Sequence, residues 1–148
     1  MSDSFQLGIS TYCYYLGAPS ESHTYEYAKI ILGLVTKHAD IQGKVLLIGG
    51  GIANFTDVAD TFKGIVKAIR EIAEKLRSQG ERVRIATRAN MRLSLWGLLG
   101  IRIYVRRGGP NYQEGLNMMR QLGVDLDLPI IVGTTYFAQM LWRLIGLL

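Results

Sequence analysis

Two short apolar runs, Lys44–Ile48 (KVLLI) and Ile101–Val105 (IRIYV), each break at glycines, and a stretch of helical periodicity follows each break. That alternation limits the possible folds more than any other feature. A short β-branched run bounded by glycines reads as a strand, and continuous apolarity reads as burial on both faces, as in a parallel sheet. Pro129–Val132 gives a third such run. Between them, Val58, Phe62, Ile65, Val66, Ile69, Ala73 and Leu76 form one apolar stripe, which predicts a helix over Thr56–Gln79. Asn54 is placed to cap it, with Asp57 three residues on, and Gly80 to end it. Another helix is predicted from Pro110 to about Leu122, stopped at Gly123. A first helix over 21–37 is signalled by Tyr25, Ala28, Ile31, Leu32 and Val35, with Ser20 or Ser22 as its cap. Helices alternating with strands give an α/β class: a parallel sheet with helices on both faces and right-handed crossovers.

The chain of 148 residues is 49% hydrophobic, enough for one such domain and too short for two. Its net charge of +5 does not mark a nucleic-acid binder. More than half of the excess comes from Arg82, Arg84, Arg88 and Arg92, and no basic stripe interleaves with aromatics. One cysteine, Cys13, permits no internal disulfide and suits a reducing, cytoplasmic setting. Met1–Ser4 lacks the pattern of a secretory leader.

In open parallel sheets, ligands sit beyond the carboxyl ends of the strands. Two Gly-rich turns are expected there, Gly49–Thr56 (GGGIANFT) and Arg106–Asn111 (RRGGPN). The glycines Gly49, Gly50, Gly51 and Gly108 let backbone approach a ligand closely. Asn54 and Thr56 supply neutral hydrogen-bond donors, and Arg106 and Arg107 supply guanidiniums that match carboxylates. A helix start adds its own N–H groups. The pair of turns reads either as an anion pocket or as ordinary connections of a parallel sheet. No Gly-Lys-Ser/Thr follows the glycines, and the third glycine of a dinucleotide fingerprint is missing. His23 and His38 are isolated, so no metal site is expected, and Cys13 reads as an inert thiol.

Longer stretches carry a resemblance. Gly17–Glu21 (GAPSE), Lys44–Ile69 (KVLLIGGGIANFTDVADTFKGIVKAI) and Val105–Leu116 (VRRGGPNYQEGL) closely resemble the citrate-binding part of ATP-citrate lyase, with Tyr12 and Tyr15 in register. The form of the glycine turn is most like the plant-type separate subunit. A weaker likeness extends to the succinyl-CoA synthetase β subunit. The resemblance implies a flavodoxin-like, Rossmann-like domain that binds citrate through Asn54, Phe55, Thr56 and Arg107, with Gly49, Gly50, Gly51, Arg106 and Gly108 supporting. A family tyrosine contact is occupied here by Ile72. No catalytic residue is expected in this chain. ATP, magnesium and CoA would be used by the complete enzyme and held by its other modules, which are the expected partners beside citrate. The alternative of another class is a non-catalytic pseudo-subunit of the same fold without its ligand. A nucleotide enzyme of the succinyl-CoA synthetase kind would need an ATP-binding half that does not match here.

Two segments depart from the family pattern. Residues 81–100 have no counterpart, since Gln79-Gly80 would join Ile101-Arg102 in register, and they read as an insertion. Residues 131–148 read as a divergent tail. It is mostly apolar, but Thr134, Thr135 and Gln139 dilute it, so a membrane role is not expected. An insertion carrying four arginines into a short helix-to-strand link cannot be buried cheaply. Deleting 81–100 should therefore raise the melting temperature. A lower value in thermal denaturation would show the segment to be integral to the fold.

Overall fold

A computed structural model describes residues 19–37, 43–52, 55–84 and 100–133. The order is α1 (Glu21–Thr36), β1 (Lys44–Ile52), α2 (Val58–Arg84), β2 (Ile101–Gly108), α3 (Tyr112–Leu126) and β3 (Ile130–Val132). The strands form one sheet in the order β1-β2-β3, and both pairings are parallel. The α/β class follows from sequence as expected. Tyr12, Cys13, Tyr15, His38, Asn54, residues 85–99 and residues 134–148 lie outside the described residues. No described helix is long and apolar enough to cross a membrane.

The period of two along a strand sorts side chains between the faces. Ile101, Ile103 and Val105 of β2 are buried against Phe62, Ile69 and Ala73 of α2 and Leu116, Met119 and Leu122 of α3. Leu46 and Ile48 of β1 and Ile130 and Val132 of β3 pack on the same cluster. On the opposite face Tyr104 is buried, but Val45 and Leu47 remain 43% and 44% exposed. The double-sided burial expected of KVLLI is therefore corrected to one side. Its apolar run meets described helices on one face only.

Two glycines set how closely the helices approach. A Cβ on Gly64 would fall 2.4 Å from the Glu21 carbonyl oxygen, where α1 crosses α2. A Cβ on Gly115 would fall 2.4 Å from the Phe62 ring, where α3 crosses α2. Around the first crossing, Tyr25 donates to the Glu71 carboxylate, Lys29 pairs with Glu71 at 3.3 Å, and Lys29 and Lys67 lie over the Tyr25 ring. Ser20 caps α1, as one of the two expected serines, through the His23 amide.

Helices α2 and α3 differ from expectation at their ends. Helix α2 runs through Gly80 to Arg84. An interior glycine costs only about 1 kcal/mol, and the residues that follow can continue the helix. Helix α3 passes Gly123 and closes at Asp127, which takes a left-handed conformation with φ of 50°. The Leu128 amide then bonds the Gly123 carbonyl at 3.0 Å, and Asp127 bonds Val124 at 3.4 Å, the double closure of a Schellman end. Pro110 precedes α3 instead of forming its first turn.

Gly33 and Gly64 are both interior helical glycines, with opposite surroundings. Gly64→Ala forces backbone apart, and should lose stability on the order of 1–3 kcal/mol. Gly33 has nothing within 4 Å of an added Cβ, so Gly33→Ala should gain up to about 1 kcal/mol of helix propensity. Urea denaturation of the two variants checks both signs.

Candidate functional site

The three glycines after KVLLI belong to β1, not to a turn, because parallel pairing continues past Ile48. Gly49 pairs with Arg106, and the next pair is Ile52 with Gly108. Strand β1 thus advances three residues while β2 advances two, which is a β-bulge. The arginines likewise lie in β2, so only Gly109, Pro110 and Asn111 connect it to α3.

The bulge explains why glycine is needed. A Cβ on Gly50 would lie 1.6 Å from Nη1 of Arg107 and 2.9 Å from its Cζ. The guanidinium of Arg107 occupies the space that a side chain would take. Alternation along β2 separates the two arginines. Arg107 follows Ile103 and Val105 on the face that carries the helices, while Arg106 follows Arg102 and Tyr104 on the other. Arg107 is half-buried and sits at the edge from which α2 and α3 both begin.

Phe55 and Thr56 stand just before α2. Phe55 is 90% exposed and Thr56 is half-buried. The sequence pattern predicts these two and Arg107 at one edge of the sheet, and the parallel register puts them there. Asn54 cannot be placed among them, because it lies outside the described residues.

The cap of α2 is Asp57, and the expected role of Asn54 is corrected accordingly. The Asp57 carbonyl accepts the Thr61 amide at 3.2 Å, and its Oδ1 accepts the Asp60 amide at 3.2 Å. The Val58 amide donates to the Pro110 carbonyl at 3.0 Å. Asp57 Oδ2 accepts the side-chain amide of Asn111 at 2.7 Å. The first amides of α2 are thus engaged by the chain itself, and the open helix end expected there is not found. What this turn offers a ligand lies before Val58. Asp57 and Asn111, joined by this bond, are not among the site residues expected from the sequence. The signal for Asp57 is present, since an aspartate directly before the first apolar residue of a periodic stretch is a cap signature.

Ile72 lies fourteen residues beyond Val58 on α2, about 21 Å along the helix, where it packs against the core. That position is not beside the start of α2. The clefts elsewhere are separate: one of about 320 Å³ between α1 and α2 includes Lys29, Glu71 and Lys75, and one of about 380 Å³ on α3 includes Tyr112 and Arg120. Among the described residues no group of three or more His, Cys, Asp or Glu could hold a metal.

The Asn111 amide and, after it, the Asp60 backbone amide stabilise the ionised Asp57, so its carboxyl titrates below the ordinary range. A carboxyl lowered by folding contributes stability above its unfolded value, and loses it as pH falls through its folded value. Carbonyl-detected NMR titration should find Asp57 below the ordinary aspartate range. Asn111→Ala should move it up, and an unmoved value would show the amide does not hold it.

The chain is similar to known proteins over most of its length. A family model described as ATP citrate lyase citrate-binding matches residues 2–98 and 94–139. ATP-citrate synthase of Mus musculus is 46% identical over 124 residues, covering 84% of this chain and 10% of that protein. ATP-citrate synthase subunit alpha chain protein 1 of Oryza sativa subsp. japonica is 45% identical over 124 residues, 84% of this chain and 26% of that one. A solved structure of ATP citrate lyase from Methanothrix soehngenii, in complex with citrate and coenzyme A, superposes with a TM-score of 0.69 at 42% identity, over 88% of this chain and 29% of that chain. The chain therefore spans between about a tenth and about a quarter of the length of these relatives.

Proposed function

This chain belongs to the ATP citrate lyase citrate-binding family, and on that premise we propose that the carboxyl edge of its sheet binds citrate for a larger lyase. The observation that carries the reading is the placement of Arg107. Its guanidinium packs on Gly50, on the same face and at the same edge as the start of α2. Arg107 supplies a fork for one carboxylate, and Thr56 and Phe55 stand across from it with side-chain and backbone donors, a role the family resemblance extends to Asn54. Gly49, Gly50, Gly51 and Gly108 keep the floor low, and Arg106 adds positive potential from the far face. The citrate complex of the Methanothrix relative supports the assignment of ligand.

Binding of citrate is one part of a reaction that needs more than this chain. Cleavage of citrate with CoA and ATP to acetyl-CoA and oxaloacetate is assigned to the complete enzyme. The other modules of that enzyme are the proposed partners, and a cytoplasmic setting suits a chain whose only cysteine is Cys13. The handling of ATP, magnesium and CoA is assigned to those partner modules. Within the chain, the work is orientation: one carboxylate is fixed by the guanidinium, and the rest of the ligand is held against neutral donors.

Hydrogen bonds to charged groups contribute roughly 1.5–3 kcal/mol and neutral ones about 1 kcal/mol. Arg107→Ala should therefore weaken citrate binding about tenfold or more, and Thr56→Ala several-fold. Arg107→Lys should recover only part, because an ammonium does not reproduce the planar fork. Titration calorimetry with citrate, tricarballylate and succinate measures each. Equal affinity in wild type and Arg107→Ala would remove β2 from the site. A folded wild-type chain that binds no citrate would favour the pseudo-subunit reading instead.

A further inference from the structure

We infer that Asp57 and Asn111 are positioning residues that fix the distance between the two sides of the citrate site; this rests on the citrate reading above. The two oxygens of Asp57 face different tasks. Oδ1 caps α2 through the Asp60 amide, at 3.2 Å. Oδ2 reaches out of the helix to the Asn111 side-chain amide, at 2.7 Å. One carboxylate therefore belongs to the start of α2 and to the start of α3 at once.

The loop after Arg107 is shaped for that contact. Gly109 has φ of 134° and Asn111 has φ of 55°. Asparagine tolerates the left-handed region better than most residues, yet at a cost. The usual return for asparagine before a helix is to cap it. Asn111 does not: its side chain makes no capping bond to α3. Its amide goes to Asp57 instead, fifty-four positions away in sequence. The Val58 amide closes a second bond between the same loops, to the Pro110 carbonyl. Two bonds thus tie the residues directly after Thr56 to those shortly after Arg107. Neither Asp57 nor Asn111 needs to touch the ligand. Their effect is to hold Thr56 and the Arg107 guanidinium at a fixed separation, which a ligand bridging both would feel as affinity.

The test exchanges the pair. Asn111→Asp sets two carboxylates against each other at a hydrogen-bond separation, where like charges repel. The double variant Asp57→Asn with Asn111→Asp reverses donor and acceptor, restores the bond, and leaves an amide oxygen at 57 to cap α2. Citrate affinity of the full chain is measured by calorimetry, and amide exchange at Val58 is followed by NMR without ligand. Asn111→Asp should weaken citrate binding about tenfold and lose protection at Val58. The exchanged pair should return affinity to within about twofold of wild type, and protection with it. At lower pH, where the two carboxyls can share a proton, Asn111→Asp alone should recover part of its affinity relative to wild type at that pH. Weaker citrate binding by Asn111→Asp with protection at Val58 intact would mark direct repulsion of the ligand by the added carboxylate and overturn the inference. Citrate binding by Asn111→Asp equal to that of wild type would overturn the inference and leave the citrate reading intact, as would an exchanged pair that folds but stays weak. A wild type that binds no citrate overturns the citrate reading itself, and the inference falls with it.

Discussion

Because β1 and β2 run in the same direction, their carboxyl ends lie side by side, and whatever follows each strand leaves from one edge of the sheet. Everything at the site depends on this. The register Ile48–Val105 and Gly49–Arg106 brings a glycine run beside an arginine pair. In an antiparallel pairing the same two motifs would lie at opposite ends of the strands. Hydrophobic burial goes with this register, since Ile101, Ile103 and Val105 of the central strand all lie in the core. A slip of one residue would turn them to the other face, and would exchange Arg107 with Arg106 at the site. The register that buries the core is therefore the register that selects the arginine.

The helices carry this arrangement with little help from surface charge. Helix α2 is shared by both neighbours, with Gly64 at its crossing with α1 and Gly115 on α3 at its other crossing. Contact at backbone distance fixes where each helix lies along its partner, which the ion pairs Lys29–Glu71 and Arg70–Asp125 do not. Those pairs are largely exposed and screened by salt. What the close crossings achieve is directional: they hold α2 so that its first residue, Val58, reaches the Pro110 carbonyl.

Much of this is legible in the sequence, and the unread part has a common cause. Apolar runs and helical periodicity report burial, and they place the three strands and three helices of the described residues. Glycine reports only permission, and its several uses look alike in sequence. The glycines at 49–51 have the pattern of a turn, yet they extend a strand beneath a guanidinium. Gly80 and Gly123 have the pattern of helix ends, yet both lie inside helices, Gly123 because the Leu128 carbonyl comes within 3.1 Å of where its Cβ would be. Local spacing points to Asn54 as the cap in place of Asp57, because a helix start is fixed by bonds to a distant loop as much as by its neighbours in sequence. Arg107 is legible as a candidate. Its separation from Arg106 requires only the strand boundary, since alternation continues once β2 is known to extend to Gly108.

The charge at this edge bears on how a tricarboxylate could be recognised. Arg107 and Asp57 carry opposite charges, and Asp57 stays ionised because Asn111 and the Asp60 amide bond its oxygens. On the proposed reading, the carboxylate offsets part of the attraction of the guanidinium for an anion. The overall charge of +5 can speed encounter, but it falls off over about 8 Å at physiological salt and does not distinguish one anion from another. On the proposed citrate reading, discrimination comes from direction: a planar fork on one side, neutral donors on the other, and a fixed gap between them. The carboxylate of Asp57 is compatible with the proposed anionic ligand because both its oxygens are turned to donors of the chain, the Asp60 and Asn111 amides.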